Sequence, residues 1–170
     1  MRMLWAIGLL AVLPLAACGG SDSPTTPAAP PPTTLPPRSV VTVSFNPDPV
    51  VATPNADPAT SSQFPFAYTY TMTIRETAGL SGNVNFWTEA LENPVTGQFS
   101  QTRTFGADRV AALAGTNHLD AMGTLRIVRT NVYTPGGNSG TGRAITIHVV
   151  VQVGDDKGNT INSEGVIRIL

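Results

Sequence analysis

Residues 66–75 read FAYTYTMTIR. Phe66, Tyr68, Tyr70, Met72 and Ile74 alternate there with Ala67, Thr69, Thr71, Thr73 and Arg75. A β-strand sends successive side chains to opposite faces, so this alternation sorts the stretch into one apolar face and one wet face. A helix would scatter the same residues around its circumference. The stretch therefore predicts a half-buried strand of an antiparallel sheet.

The same period recurs on both sides. In AITIHVVVQV, 144–153, Ile145, Ile147, Val149, Val151 and Val153 share a face. The other face, with His148 and Val150, is partly apolar, which predicts a central strand. VVTVSF, 40–45, places Val41, Val43 and Phe45 inward. Further strands are expected near 83–90 (Val84 and Phe86 inward), 98–105, 123–133 and 160–169. GDDKGN, 154–159, reads as a hairpin turn before the last of them. ADRVAALAG, 107–115, breaks the alternation and predicts a short helix ended by Gly115, crossing from one sheet to the other. About seven short strands point to an all-β fold, a two-sheet antiparallel sandwich.

The chain has 170 residues and a formal net charge of −1, enough for one domain with appendages and without the basic excess that nucleic-acid binding uses. The single cysteine, Cys18, excludes an intramolecular disulfide and a Cys-based zinc cluster.

The N-terminus reads MRMLWAIGLLAVLPLAAC. Arg2 precedes an apolar run from Leu4 to Leu15, which as a helix would span roughly 18 Å, short of a hydrocarbon core of about 30 Å. It reads as an export signal rather than a membrane span. Leu15-Ala16-Ala17-Cys18 resembles the lipobox of bacterial lipoproteins. That resemblance implies a diacylglyceryl thioether on Cys18, cleavage before it, and in many such proteins acylation of the new amine. Two or three chains, at about 0.8 kcal/mol per buried methylene, would hold the protein firmly to a membrane. Gly19 stands where Asp commonly signals inner-membrane retention in such lipoproteins, so the resemblance leans toward an outer membrane if the cell has one. An ordinary secretory cut after Ala17 would put Leu15 where a small residue is needed.

GGSDSPTTPAAPPPTTLPPR, 19–38, has almost nothing to build a core. Its prolines favour polyproline II, with a reach of up to about 60 Å at ~3.1 Å per residue. The expected organisation is a signal peptide over 1–17, lipidated Cys18 and its tether over 18–38, and a folded domain over 39–170. A proline-rich ligand for aromatic grooves is the competing reading of the tether, and its Thr/Pro tract also suits O-glycosylation.

VVVQVGDDKGNTINSEGVIRIL, 149–170, resembles the closing hairpin of bacterial immunoglobulin-like extracellular domains. Such domains mostly serve as spacers, adhesion modules or assembly parts. The chain lacks the Cys pair of antibody-type domains, and 144–153 has no tyrosine to form a tyrosine corner.

Catalysis needs convergent polar groups. His118 and Asp120 would share a face if extended, but no nucleophile is tied to them. His148 reads as a sheet-surface residue. Glu89 and Glu92 could pair for acid–base work, although solvated loop charges are the plainer reading. Asp155-Asp156-Lys157-Gly158-Asn159 offers oxygen donors to calcium without the spacing of an EF-hand loop. PGGNSGTG, 135–142, has no lysine and no following helix, and so fails as a phosphate loop. Trp87, with the 83–90 parity that faces Val84 and Phe86 inward, would project outward and could stack on a sugar or anchor a partner. The plainer reading is that a bulge turns it into the core, because large aromatics are usually buried.

The residues thus predict a non-enzymatic envelope module, held to the membrane through Cys18, that binds or spaces something. No cofactor is expected beyond the covalent lipid. The partner is an envelope polysaccharide or protein, not nucleic acid. The alternative is an inhibitor or carbohydrate-recognition domain using the end loops 134–143 and 91–97. An enzyme built on His118, Asp120 or the Glu pair ranks below both.

Overall fold

The computed structural model describes residues 34, 38–93, 96–134 and 144–170. Two antiparallel sheets face each other as a sandwich. The first comprises β1 (Val41–Asn46), β2 (Thr53–Pro54), β3 (Phe66–Glu76) and β7 (Thr124–Tyr133). There β1 and β2 pair with β3 along one edge and β7 along the other. The second comprises β4 (Gly82–Glu92), β5 (Phe99–Gly106), β6 (His118–Leu119), β8 (Ile145–Asp155) and β9 (Thr160–Ile169). Its order is β5-β4-β8-β9, with β6 beside β4. Among the described residues seven strands are six residues or longer, in agreement with the sequence reading, and β8 is interior as its two-sided apolarity requires.

The core forms where the alternating residues meet. Tyr68, Tyr70, Met72 and Ile74 of β3 face Ile147, Val149, Val151 and Val153 of β8, all buried. Helix α1 (Ala107–Ala114) follows β5 and sends Val110 into this core. It stops at Gly115, whose φ of 84° suits a residue without a Cβ and whose N–H closes on the Ala111 carbonyl.

The sequence parity of β4 is corrected by a bulge. Val84 pairs with Val153, but Phe86 pairs with Gln152, so Asn85 is an extra residue in the strand. Beyond it the alternation flips. Phe86, expected inward, is only half-buried on the outer face, while Trp87 and Glu89 turn inward. A second bulge lies in β5. Glu89 pairs with Arg103 and Leu91 with Ser100, so Gln101 and Thr102 together oppose Ala90. Gln101 there has φ 51°, a left-handed conformation uncommon for a residue with a side chain.

The two sides of the sandwich close differently. The β9 edge is covered by the segment after β1, where Val50 and Ala52 exchange backbone hydrogen bonds with Arg168 and Leu170. On the opposite side β5 and β7 carry no further strand among the described residues. Helix α1 packs against β4, β5 and β7 and fills part of that gap.

Candidate functional site

The gap between β5 and β7 is the candidate site. An outer cleft of about 340 Å³ is lined by Leu91, Arg103, Val132, Tyr133 and Ile145, with Phe64 and Thr134 at its rim. A smaller recess of about 70 Å³ shares Leu91, Arg103 and Tyr133 and reaches inward to Tyr68, Glu89 and Asn131. The bulge at Gln101 sits on its β5 wall and re-aims that edge next to the cleft, a common use of bulges.

Beneath the recess lies a charged cluster inside the core. Glu89 and Arg129 are 6% and 8% exposed. Glu89 Oε1 accepts from the Tyr70 hydroxyl at 2.7 Å, from Trp87 Nε1 at 3.1 Å and from Arg129 Nε at 3.4 Å. Glu89 Oε2 has a single long contact, Arg129 Nη2 at 3.5 Å. The same Nη2 donates to Asn131 Oδ1 at 3.2 Å. The guanidinium stacks 4.5 Å from the Phe105 ring centroid and 5.8 Å from that of Trp87, and those two rings are themselves stacked at 4.4 Å. Burial, and then the negative charge of Glu89, push the Tyr68 and Tyr70 phenols well up. Both therefore remain neutral hydrogen-bond donors at any physiological pH.

At the opposite pole two other carboxylates tie down the point where the chain enters the domain. Glu76, buried, accepts from the backbone N–H of Val40, Ala78, Gly79 and Met122. Asp155 accepts from the N–H of Ser39, Lys157 and Asn159 and from the Asn159 amide. Burial alone would raise both acids, but the N–H donors outweigh it. Glu76 is lowered, and Asp155 is held down at about 2.

A carboxyl depressed in the folded state stabilises the protein above its unfolded value of about 3.9 and loses that contribution as pH falls toward 2. Denaturation midpoints measured from pH 6 to pH 2 should therefore fall more steeply for the native chain than for Asp155→Asn, which is expected to be weaker at neutral pH and flatter in acid. Parallel curves would contradict this role.

β3 and β7 run antiparallel, with Phe66 opposite Tyr133 and Arg75 opposite Thr124, and so set the two poles apart. Ser39, Glu76 and Asp155 stand at one end of the strands, while Tyr133, Leu91 and Ile145 stand at the other. An eleven-residue strand such as β3 spans roughly 35 Å at 3.3 Å per residue.

Searches against family models and against curated proteins each find no match. The solved structures do offer likenesses. A Bordetella pertussis protein provisionally named ApaA aligns with a TM-score of 0.51 at 14% identity, over 76% of this chain and 93% of that one. A Northeast Structural Genomics Consortium target aligns with a TM-score of 0.48 at 12% identity, over 78% of this chain and 84% of that one. The alkylpurine DNA glycosylase AlkC of Pseudomonas fluorescens, bound to DNA with an abasic-site analogue, aligns with a TM-score of 0.36 at 14% identity, over 78% of this chain and 31% of that one. At these identities the ApaA likeness bears on the fold alone, and the other two carry no argument.

The structure separates most of the residues the sequence singled out. Trp87 is fully buried. Of its two readings the buried one holds and the outward, sugar-stacking one does not: the Asn85 bulge turns the indole inward, onto Glu89 and Phe105. Glu89 and Glu92 are not a solvated loop pair, because both belong to β4 and only Glu89 faces the core. Glu92 instead meets His148 Nε2 at 2.8 Å on the outer surface, with Phe99 against that imidazole. His118 contacts Asp120 at 3.4 Å and Asn83 at 3.2 Å, both at the surface and with no hydroxyl nucleophile in the pair. Asp155 is filled by N–H donors rather than poised for a cation, and no metal-holding cluster occurs among the described residues.

Cys18 and the predicted signal peptide lie outside the described residues, as do 135–142 and all of the predicted tether except Thr34 and Arg38. Among the described residues no helix is long and apolar enough to cross a membrane. Of the end loops 91–97 and 134–143, residues 94–95 and 135–143 lie outside the described residues, while Leu91 and Glu92 at the end of β4, Asn93 and Thr134 border the cleft.

The sequence reading missed Arg129, Glu89 as a core residue, and Arg103. A signal existed for the first of these. Within TLRIVRTNVY, Leu125, Ile127, Arg129 and Asn131 share parity, so an arginine falls on the apolar face, and a buried arginine demands a carboxylate partner.

Proposed function

We propose that this chain is a non-enzymatic, lipid-anchored binding module of the cell envelope. Residues 1–17 direct export, Cys18 carries the lipid, 19–38 form a spacer, and the sandwich presents the β5–β7 cleft to its partner. Gly19 favours the outer membrane in a cell that has one. No cofactor takes part besides the lipid. The partner is an envelope polysaccharide or protein.

The observation that carries this reading is polar geometry. The chain enters at Ser39, where Asp155 holds its backbone, and the cleft opens at the far end of the strands. A tether joined at residue 38 would therefore attach at the pole opposite the cleft and leave the cleft unobstructed. The titratable groups support binding over catalysis: Glu89 is locked by four donor contacts, and both histidines sit at the surface in simple polar pairs.

The test is site-specific photo-crosslinking in intact cells. A photoreactive residue at Thr134, on the cleft rim, should yield a discrete high-mass adduct, while one at Lys157, at the opposite pole, should not. Absence of an adduct at Thr134, or equal adducts at both positions, would contradict the reading and leave a plain spacer.

A further inference from the structure

We infer that two copies of this chain pair edge to edge through β7, antiparallel about a two-fold axis at Val128. This goes beyond the proposed binding function and needs neither the lipid nor a ligand. The first ground is a row of open backbone groups. The Glu76 N–H donates to the Gly123 carbonyl where the β3–β7 ladder begins. In an antiparallel pair every second residue makes that exchange. Leu125, Ile127, Arg129, Asn131 and Tyr133 therefore turn their N–H and C=O groups toward β3. Thr124, Arg126, Val128, Thr130 and Val132 turn theirs the other way, where no strand or loop takes them among the described residues. Helix α1 touches β4 and β5 as well as β7, and its Val110 enters the core. It thus stands between the sheets rather than beside this edge.

A free edge is a template for another strand, and proteins guard it with prolines, lysines, bulges or a covering segment. The other long edges here are guarded. β5 has its bulge and the left-handed Gln101, and β9 lies against Val50 and Ala52. β7 is ten residues long without proline, glycine or lysine, and it pairs with β3 without a register shift. A charge pointing inward from an edge also deters pairing, but Arg129 is matched by Glu89 inside its own core.

What the edge presents suits a second copy of itself. A two-fold axis at Val128 is the placement that overlaps the whole row. It sets Val128 on its own copy, Arg126 opposite the second copy's Thr130, and Thr124 opposite the second copy's Val132. Every such pair joins residues with outward groups, and so exchanges two hydrogen bonds. Arg126, the one charge in the row, meets a threonine, whereas an axis at Arg126 would set two guanidiniums together. The other four are β-branched, a side-chain class that cross-strand pairs favour. Val128 is 59% exposed and Val132 36%, so pairing covers apolar surface that a single copy leaves wet. A formal net charge of −1 opposes the contact little. The interface is isologous and uses the same edge of both copies, so assembly stops at a dimer.

The experiment is disulfide trapping with the purified full chain, oxidised with copper phenanthroline and read on a non-reducing gel. Facing residues of a hydrogen-bonded pair have Cα atoms about 5.5 Å apart, within disulfide reach. Val128→Cys should give a covalent dimer. Val166→Cys, exposed on the other sheet, should stay at the background set by the native chain. Register is tested with a second pair of variants. Thr124→Cys alone should not dimerise, because its two copies would lie roughly 26 Å apart at 3.3 Å per residue. Mixed with Val132→Cys it should. Adding Val128→Lys to both members of that mixture should lower the yield about fivefold, the size of one unfavourable cross-strand pair. No dimer from Val128→Cys, equal dimer from Val166→Cys, or Thr124→Cys alone matching the mixture would overturn the inference. A dimer of the native chain would report a bare Cys18 thiol, which removes the proposed anchor and leaves the β7 comparison to be read above it.

Discussion

Arg129→Met should destabilise the domain by about 3–5 kcal/mol, the cost of stranding a buried carboxylate. Glu89 and Arg129 are both almost fully enclosed. Removing the guanidinium deletes its two bonds to Glu89, its bond to Asn131, and its stacking on Phe105 and Trp87. Methionine keeps part of the volume, so the loss reports mainly on charge. A domain is typically stable by only 5–15 kcal/mol, and the variant should therefore unfold at much lower denaturant. The companion variant isolates the cause. In the double variant Glu89→Gln/Arg129→Met the stranded charge is gone, while the amide oxygen introduced at position 89 still accepts from Tyr70 and Trp87. That double variant should recover a substantial part of the loss. An Arg129→Met protein within about 1 kcal/mol of the native one, or a double variant no better than the single, would show that the cluster does not carry the charge balance assigned to it.

On the proposed anchoring, Cys18→Ser should abolish lipid attachment altogether. A serine hydroxyl is a far weaker nucleophile than the cysteine sulfur, so no thioether forms and the processing that depends on it stops. Cells fed an alkyne-tagged palmitate analogue should label the native chain and leave the variant unlabelled, at its precursor mass. Label is the deciding readout, because an uncleaved apolar N-terminus could itself linger at a membrane. Equal label on both chains would contradict the assignment of the anchor to Cys18.

The strands were legible because period two is a local property. Tyr68, Tyr70, Met72 and Ile74 are buried as their alternation requires, and α1 ends at Gly115 as read from the sequence. Parity failed at one residue. Asn85 inserts into β4, and nothing in GNVNFWTEALE announces which asparagine is the extra one, since a bulge depends on the partner strand's register. That single insertion decides whether Trp87 and Glu89 are core or surface. The charged cluster was hidden for a related reason. Arg129 shows its inward parity in sequence, but its partner lies forty residues away on the other sheet. The cleft was not read from the sequence as such: Asn93 and Thr134 on its rim belong to the loops 91–97 and 134–143 that the sequence marked for recognition, whereas the β5 bulge and Arg103 came only with the strand pairing.

The proposed function has one central claim, that a lipid on Cys18 anchors the chain. Intact-mass spectrometry of the chain extracted from native membranes tests this most directly. The expected result is a mature polypeptide beginning at Cys18, carrying a diacylglyceryl thioether with or without an amide-linked acyl chain. A free thiol at Cys18, or an N-terminus at any other residue, would contradict it.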